Sequence, residues 1–198
     1  MSVRTARVLL MLGAFVAGLV LFTTVVFIVT GRSPAPVALT SAVGGPFSLS
    51  DQNGRPITDQ DLKGRPFLVF FGFTHCPDVC PTTLFEVSEI LRALPPRAKE
   101  VRALFVTVDP ERDTPTVLKD YLSSFDPRVI GVTGDPDAIG AIERSYRVYA
   151  KKVPLDGGNY TMDHTALVYL MDKNGRFVAP FKMKRRPEEA AAEIERYL

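Results

Sequence analysis

Phe67-Leu-Val-Phe-Phe-Gly72, running straight on into Phe73-Thr-His-Cys76-Pro-Asp-Val-Cys80-Pro81, organises the reading of the whole chain. Its first half is a continuous apolar run of strand length, the pattern of a strand buried on both faces. Its second half sets two thiols between the end of that strand and the start of a helix. The helix shows in Leu84, Val87, Leu91 and Leu94, which recur at helical spacing until Pro95-Pro96 stops it.

The same alternation continues on the C-terminal side. Val101 to Val108 is a second β-rich run, and Asp113-Thr-Pro115 supplies cap residues with Pro at a first-turn position, predicting a helix to about Ser124. Arg128 to Val132 reads as a short third strand. Asp135-Pro136 caps a further helix through Ile139, Ile142 and Tyr146, and Gly157-Gly158 marks a flexible loop. Thr165 to Met171 and Arg176 to Phe181 flank Asp172-Lys-Asn-Gly175, the signature of a hairpin, and Pro187 to Leu198 closes the chain as a helix. On the N-terminal side, Asn53-Gly54 between short alternating stretches predicts another hairpin over Phe47 to Thr58. The class is α/β: a mixed central sheet with helices on both faces, in the order of a thioredoxin-like fold with an added N-terminal β-hairpin. That domain is expected to span 47–198.

Ahead of it, Val8 to Thr30 gives 23 consecutive residues without a charge, where about 20 suffice to span a bilayer as a helix. We read 1–31 as an N-terminal transmembrane anchor with its helix at about 8–30, and the small, Pro- and Gly-rich residues 32–46 as a linker. A cleaved signal peptide is the competing reading, but its apolar region is shorter, about 7–15 residues, and ends at a small-residue site not evident between Ser33 and Ser41. Arg4, Arg7 and the terminal amine outweigh Arg32, which predicts a single pass through the inner (cytoplasmic) membrane with the C-terminal domain in the periplasm.

The net charge of +2 belongs to that segment. Beyond residue 32 there are 21 basic against 22 acidic residues, a balance of −1. Such a domain has no electrostatic footprint for nucleic acid.

The two cysteines close too small a loop for stapling to explain them, so a reactive or metal-binding pair is expected. A helix N-terminus favours thiolate, the form that attacks disulfides and ligates metals. The C-x-x-x-C spacing is one residue longer than that of thioredoxin-type redox enzymes. The pair can still oxidise, and it can also place two sulfurs on one ion. Two soft thiolates with one imidazole favour Cu(I) and accept Cu(II); zinc is chemically admissible with a fourth position open. Of the two histidines, His164 enters the strand that a thioredoxin-like arrangement lays beside the cysteine-bearing helix start, so it is the expected third ligand. His75 is read as a flanking residue. Asp109 reads as a turn acid and Asp113 as a helix cap, in preference to a partner-binding role or support of the site from the strand's C-terminal end, because capping chemistry suffices. Asp78 and Asp163 read as supports of the adjacent ligands or as solvated loop acids. Met162, Met171 and Met183 read as packing rather than as a soft-metal patch. A peroxidase is disfavoured because Thr-x-x-Cys is absent: Phe73 and Pro77 stand three before the cysteines.

Three segments together, Thr74-His-Cys76-Pro-Asp-Val-Cys80-Pro81, Thr107-Val-Asp109-Pro-Glu-Arg-Asp113-Thr-Pro115, and Asp163-His164 before Tyr169-Leu-Met-Asp172, resemble the Sco/SenC family over roughly residues 40 to 198. The resemblance implies a membrane-anchored copper chaperone of cytochrome c oxidase assembly, with Cys76, Cys80 and His164 as copper ligands. It implies delivery to the copper A centre of oxidase subunit II, a copper donor and a thiol reductant as further partners, and no turnover chemistry. Its alternative is a thiol–disulfide oxidoreductase that keeps the subunit's cysteines reduced through Cys76 and Cys80.

Overall fold

The structure, a computed structural model, describes residues 3–30 and 43–198. It divides into two units, broken at Thr40/Ser41. The first holds helix α1 (Val3–Thr30). Its described side chains, residues 10–25, are all exposed. Among the described residues no helix is long and apolar enough to cross a membrane. Most of the expected linker, residues 32–42, lies outside the described residues. Residues 43–45, however, are half-buried on the second unit, and the Gly44 N–H donates to the Ser145 carbonyl at 2.9 Å.

The second unit is built on a seven-stranded sheet in the order Pro56–Thr58, Ser48–Asp51, Val129–Thr133, Arg102–Thr107, Phe67–Gly72, Val168–Met171, Phe177–Pro180. Its centre is β3 (Phe67–Gly72), every residue of which is buried. β4 (Arg102–Thr107) and β5 (Val129–Thr133) lie parallel to it, joined through α2 (Val79–Ala93) and α3 (Pro115–Leu122). The expected N-terminal hairpin is β1 (Ser48–Asp51) with β2 (Pro56–Thr58), and it joins the sheet at β5. β8 (Val168–Met171) and β9 (Phe177–Pro180) form the C-terminal hairpin, whose first strand, β8, pairs antiparallel to β3 with Phe67 opposite Met171. α4 (Pro136–Ser145) begins as predicted, with the Asp135 side chain accepting from the Ala138 N–H at 2.8 Å. α5 (Pro187–Glu195) packs on α2. All the buried hydrophobic residues of the core lie between Leu49 and Ile194, so this unit carries a complete core of its own.

Two local expectations are corrected. The Gly157-Gly158 stretch is not simply a loop: it is the tip of a separate two-stranded hairpin, β6 (Ala150–Pro154) with β7 (Tyr160–His164). Alternation failed to reveal it because both faces are only partly covered and none of its residues is fully buried. Asp113 is not the cap of α3. Thr114 caps it, accepting from the Val117 N–H, and the Asp113 carboxylate is turned into the interior.

Candidate metal centre

β3 ends at Gly72, and the chain leaves it as a turn in which the Cys76 N–H donates to the Phe73 carbonyl at 3.2 Å. The half-buried Cys76 sits in this loop, while the fully buried Cys80 sits in the first turn of α2. The Cys80 N–H points at Cys76 Sγ, 3.4 Å away. Gly72 makes room for this: a Cβ there would lie 2.8 Å from Cys80 Sγ and 2.6 Å from the Phe105 ring.

His164 is the last residue of β7, not part of a loop, and pairs with Ala150. Its Nε2 stands 3.8 Å from Cys80 Sγ. Its Nδ1 is 3.2 Å from the Thr165 carbonyl; donation to that carbonyl leaves the Nε2 lone pair facing the sulfurs. The ligand atoms of Cys76, Cys80 and His164 all lie within 4.8 Å of one another. His75 is exposed, beside the Thr74 hydroxyl at 3.1 Å, and is not in the group. Asp78 and Asp163 are exposed, Asp163 opposite Lys151 in the hairpin. Met171 is core, and Met162 and Met183 pack against it half-buried.

The electrostatics correct one expectation. Burial pushes the Cys80 thiol well above the ordinary thiol range, so the helix start does not make it a thiolate. Burial also holds His164 below its usual range, the Thr165 carbonyl opposing only in part. The pair is therefore a neutral thiol beside a neutral imidazole. A soft cation entering here displaces the Cys80 proton and meets a nitrogen that is already free of one.

A second layer fixes these groups, through two acids for which the sequence favours the plainer roles of turn acid and helix cap. Asp113, fully buried, accepts from the Thr74 N–H at 3.0 Å, the Thr74 hydroxyl at 2.6 Å and the Thr107 hydroxyl at 2.7 Å. It thereby ties the cysteine loop to the end of β4. Asp109 is more than a turn acid: it is buried, accepts from the Tyr160 hydroxyl at 2.9 Å and pairs with Arg112. The Arg112 guanidinium carbon lies 3.8 Å from the Tyr160 ring centroid, and its Nη1 donates to the Tyr160 carbonyl at 3.0 Å. The same group lies 5.9 Å from the centroid of Phe73, whose ring meets His164 edge-on at 5.7 Å. Arg112 thus clamps the start of β7 to the β4–α3 loop and backs the ring against which His164 rests. Nothing in local spacing marks Tyr160 or Arg112, because they meet across 48 positions of sequence.

Known proteins share this chain's sequence pattern and fold. A SCO1/SenC family model matches residues 36–198. A SCO2-like protein of Rickettsia felis is 41% identical over 124 residues, 62% of this chain and 60% of that protein; the chain therefore spans less than two thirds of that relative's length. The structure of Bradyrhizobium japonicum ScoI with copper bound is 65% identical, with a TM-score of 0.76, covering 79% of this chain and 99% of that one. The fold is also that of BsSco, a member of the Sco family of cytochrome c oxidase assembly proteins with a disulfide switch, at 23% identity, a TM-score of 0.62, and 79% and 93% coverage. The thioredoxin-like expectation for the domain stands. Homologous Sco protein has been seen with copper bound, and this chain has a Cys-Cys-His group able to bind it.

Proposed function

This chain belongs to the SCO1/SenC family, and from that premise we propose that it is a membrane-anchored copper chaperone serving the copper A centre of cytochrome c oxidase subunit II. Cu(I) is its cargo, with Cys76 and Cys80 as thiolate ligands and His164 as the nitrogen ligand. The observation that carries this reading is the convergence of those three ligand atoms within 4.8 Å, drawn from a loop, a helix start and a separate hairpin. Cys76, the more exposed sulfur, is the natural first contact for an acceptor's thiolate, and Cys80 and His164 release the ion afterwards. Residues 1–31 serve as the anchor, 32–46 as the linker and 47–198 as the copper-binding domain, which places the site in the periplasm. A copper donor and a thiol reductant complete the set of partners.

Anaerobic Cu(I) titration of the full chain in detergent tests this. One tight equivalent is expected, weakened at least tenfold by His164→Ala and abolished by Cys80→Ser. Unchanged affinity in His164→Ala removes histidine from the ligand set.

A second reading has support of its own: a half-buried sulfur beside a fully buried one, both free. In it, the Cys76 thiolate attacks a disulfide of the oxidase subunit and expels one thiolate. Cys80 then attacks the Cys76 sulfur of the mixed disulfide and releases the second. The subunit leaves with two thiols and this chain keeps a Cys76–Cys80 disulfide. That task does not need His164, so exchange with an oxidised subunit peptide by His164→Ala separates it from copper delivery.

A further inference from the structure

β3, β4 and β5 run parallel, so all three point their C-terminal ends toward the cysteine loop and their N-terminal ends away from it. Six residues of strand at about 3.3 Å each put roughly 20 Å between the two ends. The far end holds two adjoining grooves of about 220 and 490 Å³, which share Asp61, Glu100 and Arg102. Their rims carry six basic residues, Arg55, Lys63, Arg65, Lys99, Arg102 and Arg128, against three acids, Asp51, Asp61 and Glu100.

Two of those acids are engaged locally. Asp51 accepts the N–H groups of Asn53 and Arg55 at 2.8 and 2.9 Å, and Asp61 accepts the Thr58 N–H and hydroxyl at 2.7 Å each. Lys63 pairs with Asp59, and Arg128 with Asp126. Among the described residues, Arg55, Arg65 and Lys99 have no ion-pair partner, Arg102 has only a more distant attraction to Asp61, and all four are exposed. A domain with a balance of −1 has therefore gathered unpaired cations at one end of its sheet.

The chain also enters the domain at this end. Gly44 donates to the carbonyl of Ser145, at the C-terminus of α4, and a Cβ on Gly44 would lie 2.9 Å from Met171 Cε. Met171 pairs with Phe67, the first residue of β3. Twelve residues separate α1 from Val43, and fully extended they reach at most about 40 Å.

We propose that this basic end docks on an anionic phospholipid surface, turning the Cys76–Cys80–His164 cluster away from the bilayer. The inference rests on the membrane-anchor reading of residues 1–31. Each basic side chain near an anionic leaflet strengthens association about fivefold, so four give several hundredfold, confined to within about a Debye length of the surface. The tether keeps the domain close enough for that attraction to orient it.

The full chain reconstituted in phosphatidylcholine vesicles, and in vesicles containing phosphatidylglycerol, tests this by flotation and then by amide hydrogen exchange. Flotation with both lipids reports the anchor. Exchange at residues 52–66 and 97–102 is expected to slow several-fold only with phosphatidylglycerol, and to recover in high salt and in the triple variant Arg55→Glu/Arg65→Glu/Arg102→Glu. Residues 74–80 and 160–165 should be unaffected. Equal exchange in both lipids, with flotation retained, overturns the docking face and leaves the anchor intact. Protection in both lipids that grows with protein density assigns the face to a second copy of the chain and overturns the lipid assignment. Failure to float with either lipid overturns the anchor and this placement with it.

Discussion

The Asp113 carboxylate takes the Thr74 hydroxyl at 2.6 Å, and so a residue 39 positions downstream holds the loop that carries Cys76. Two further donors, the Thr74 N–H and the Thr107 hydroxyl, converge on the same buried group. Asp113→Ala leaves them without an acceptor in the interior, where each orphaned donor costs about 1–3 kcal/mol. We expect urea unfolding to show a loss of about 2–4 kcal/mol, with a smaller loss for Asp113→Asn. Cu(I) affinity should fall although no ligand has changed. A stability loss under about 1 kcal/mol would mean that water replaces the carboxylate.

The clamp made by Arg112 predicts a different pattern. Arg112→Lys keeps the charge beside Asp109 but loses the planar stack on Tyr160. Tyr160→Phe removes only the hydroxyl donated to Asp109. Both variants should speed amide exchange across 150–164 and weaken Cu(I) binding about tenfold, with the count of reactive thiols unchanged. Faster exchange with unaltered copper affinity would show that His164 finds the metal without the hairpin being held.

Gly72→Ala tests the space beneath Cys80. The added methyl meets both the Cys80 sulfur and the Phe105 ring inside van der Waals distance, and overpacking of this kind costs about 1–3 kcal/mol. Because the sulfur is one of the two groups that must move, the variant is expected to lose copper affinity as well as stability. A variant that is destabilised but binds copper normally would show that the Phe105 side yields instead.

Glu143, half-buried on α4, supplies the pH dependence. Burial raises its carboxyl from 4.5 to about 7, with Arg144 opposing. An acid whose folded pKa is raised binds more protons folded than unfolded, so stability falls as pH rises from about 4.5 to about 7 and stays lower above that. The full shift corresponds to about 3 kcal/mol, which solvent contact reduces to about 1–2 kcal/mol. Glu143→Gln should therefore match the parent near pH 4.5 and exceed it by about 1 kcal/mol at pH 8 in thermal or urea unfolding. Parallel pH profiles for the two proteins would remove Glu143 as the source.

By itself the sequence determined what is written in local pattern: the fully buried β3, the thiols poised between it and α2, the Asp135 cap, and the two hairpin turns at Asn53-Gly54 and Asp172 to Gly175. Each follows from a period or a turn chemistry that a few consecutive residues express. Tertiary structure alone decided the rest of the site. It made β6–β7 a hairpin, brought His164 Nε2 to Cys80 Sγ across 84 positions, buried Asp113 beneath Thr74, and set Arg112 on Tyr160. It also reversed the expected thiolate bias at Cys80, because burial outweighs a helix start. Such contacts carry no period, since their partners lie 39, 48 and 84 residues apart. Their strength comes from hydrogen bonds and charge contacts made out of reach of water, which only the assembled core provides.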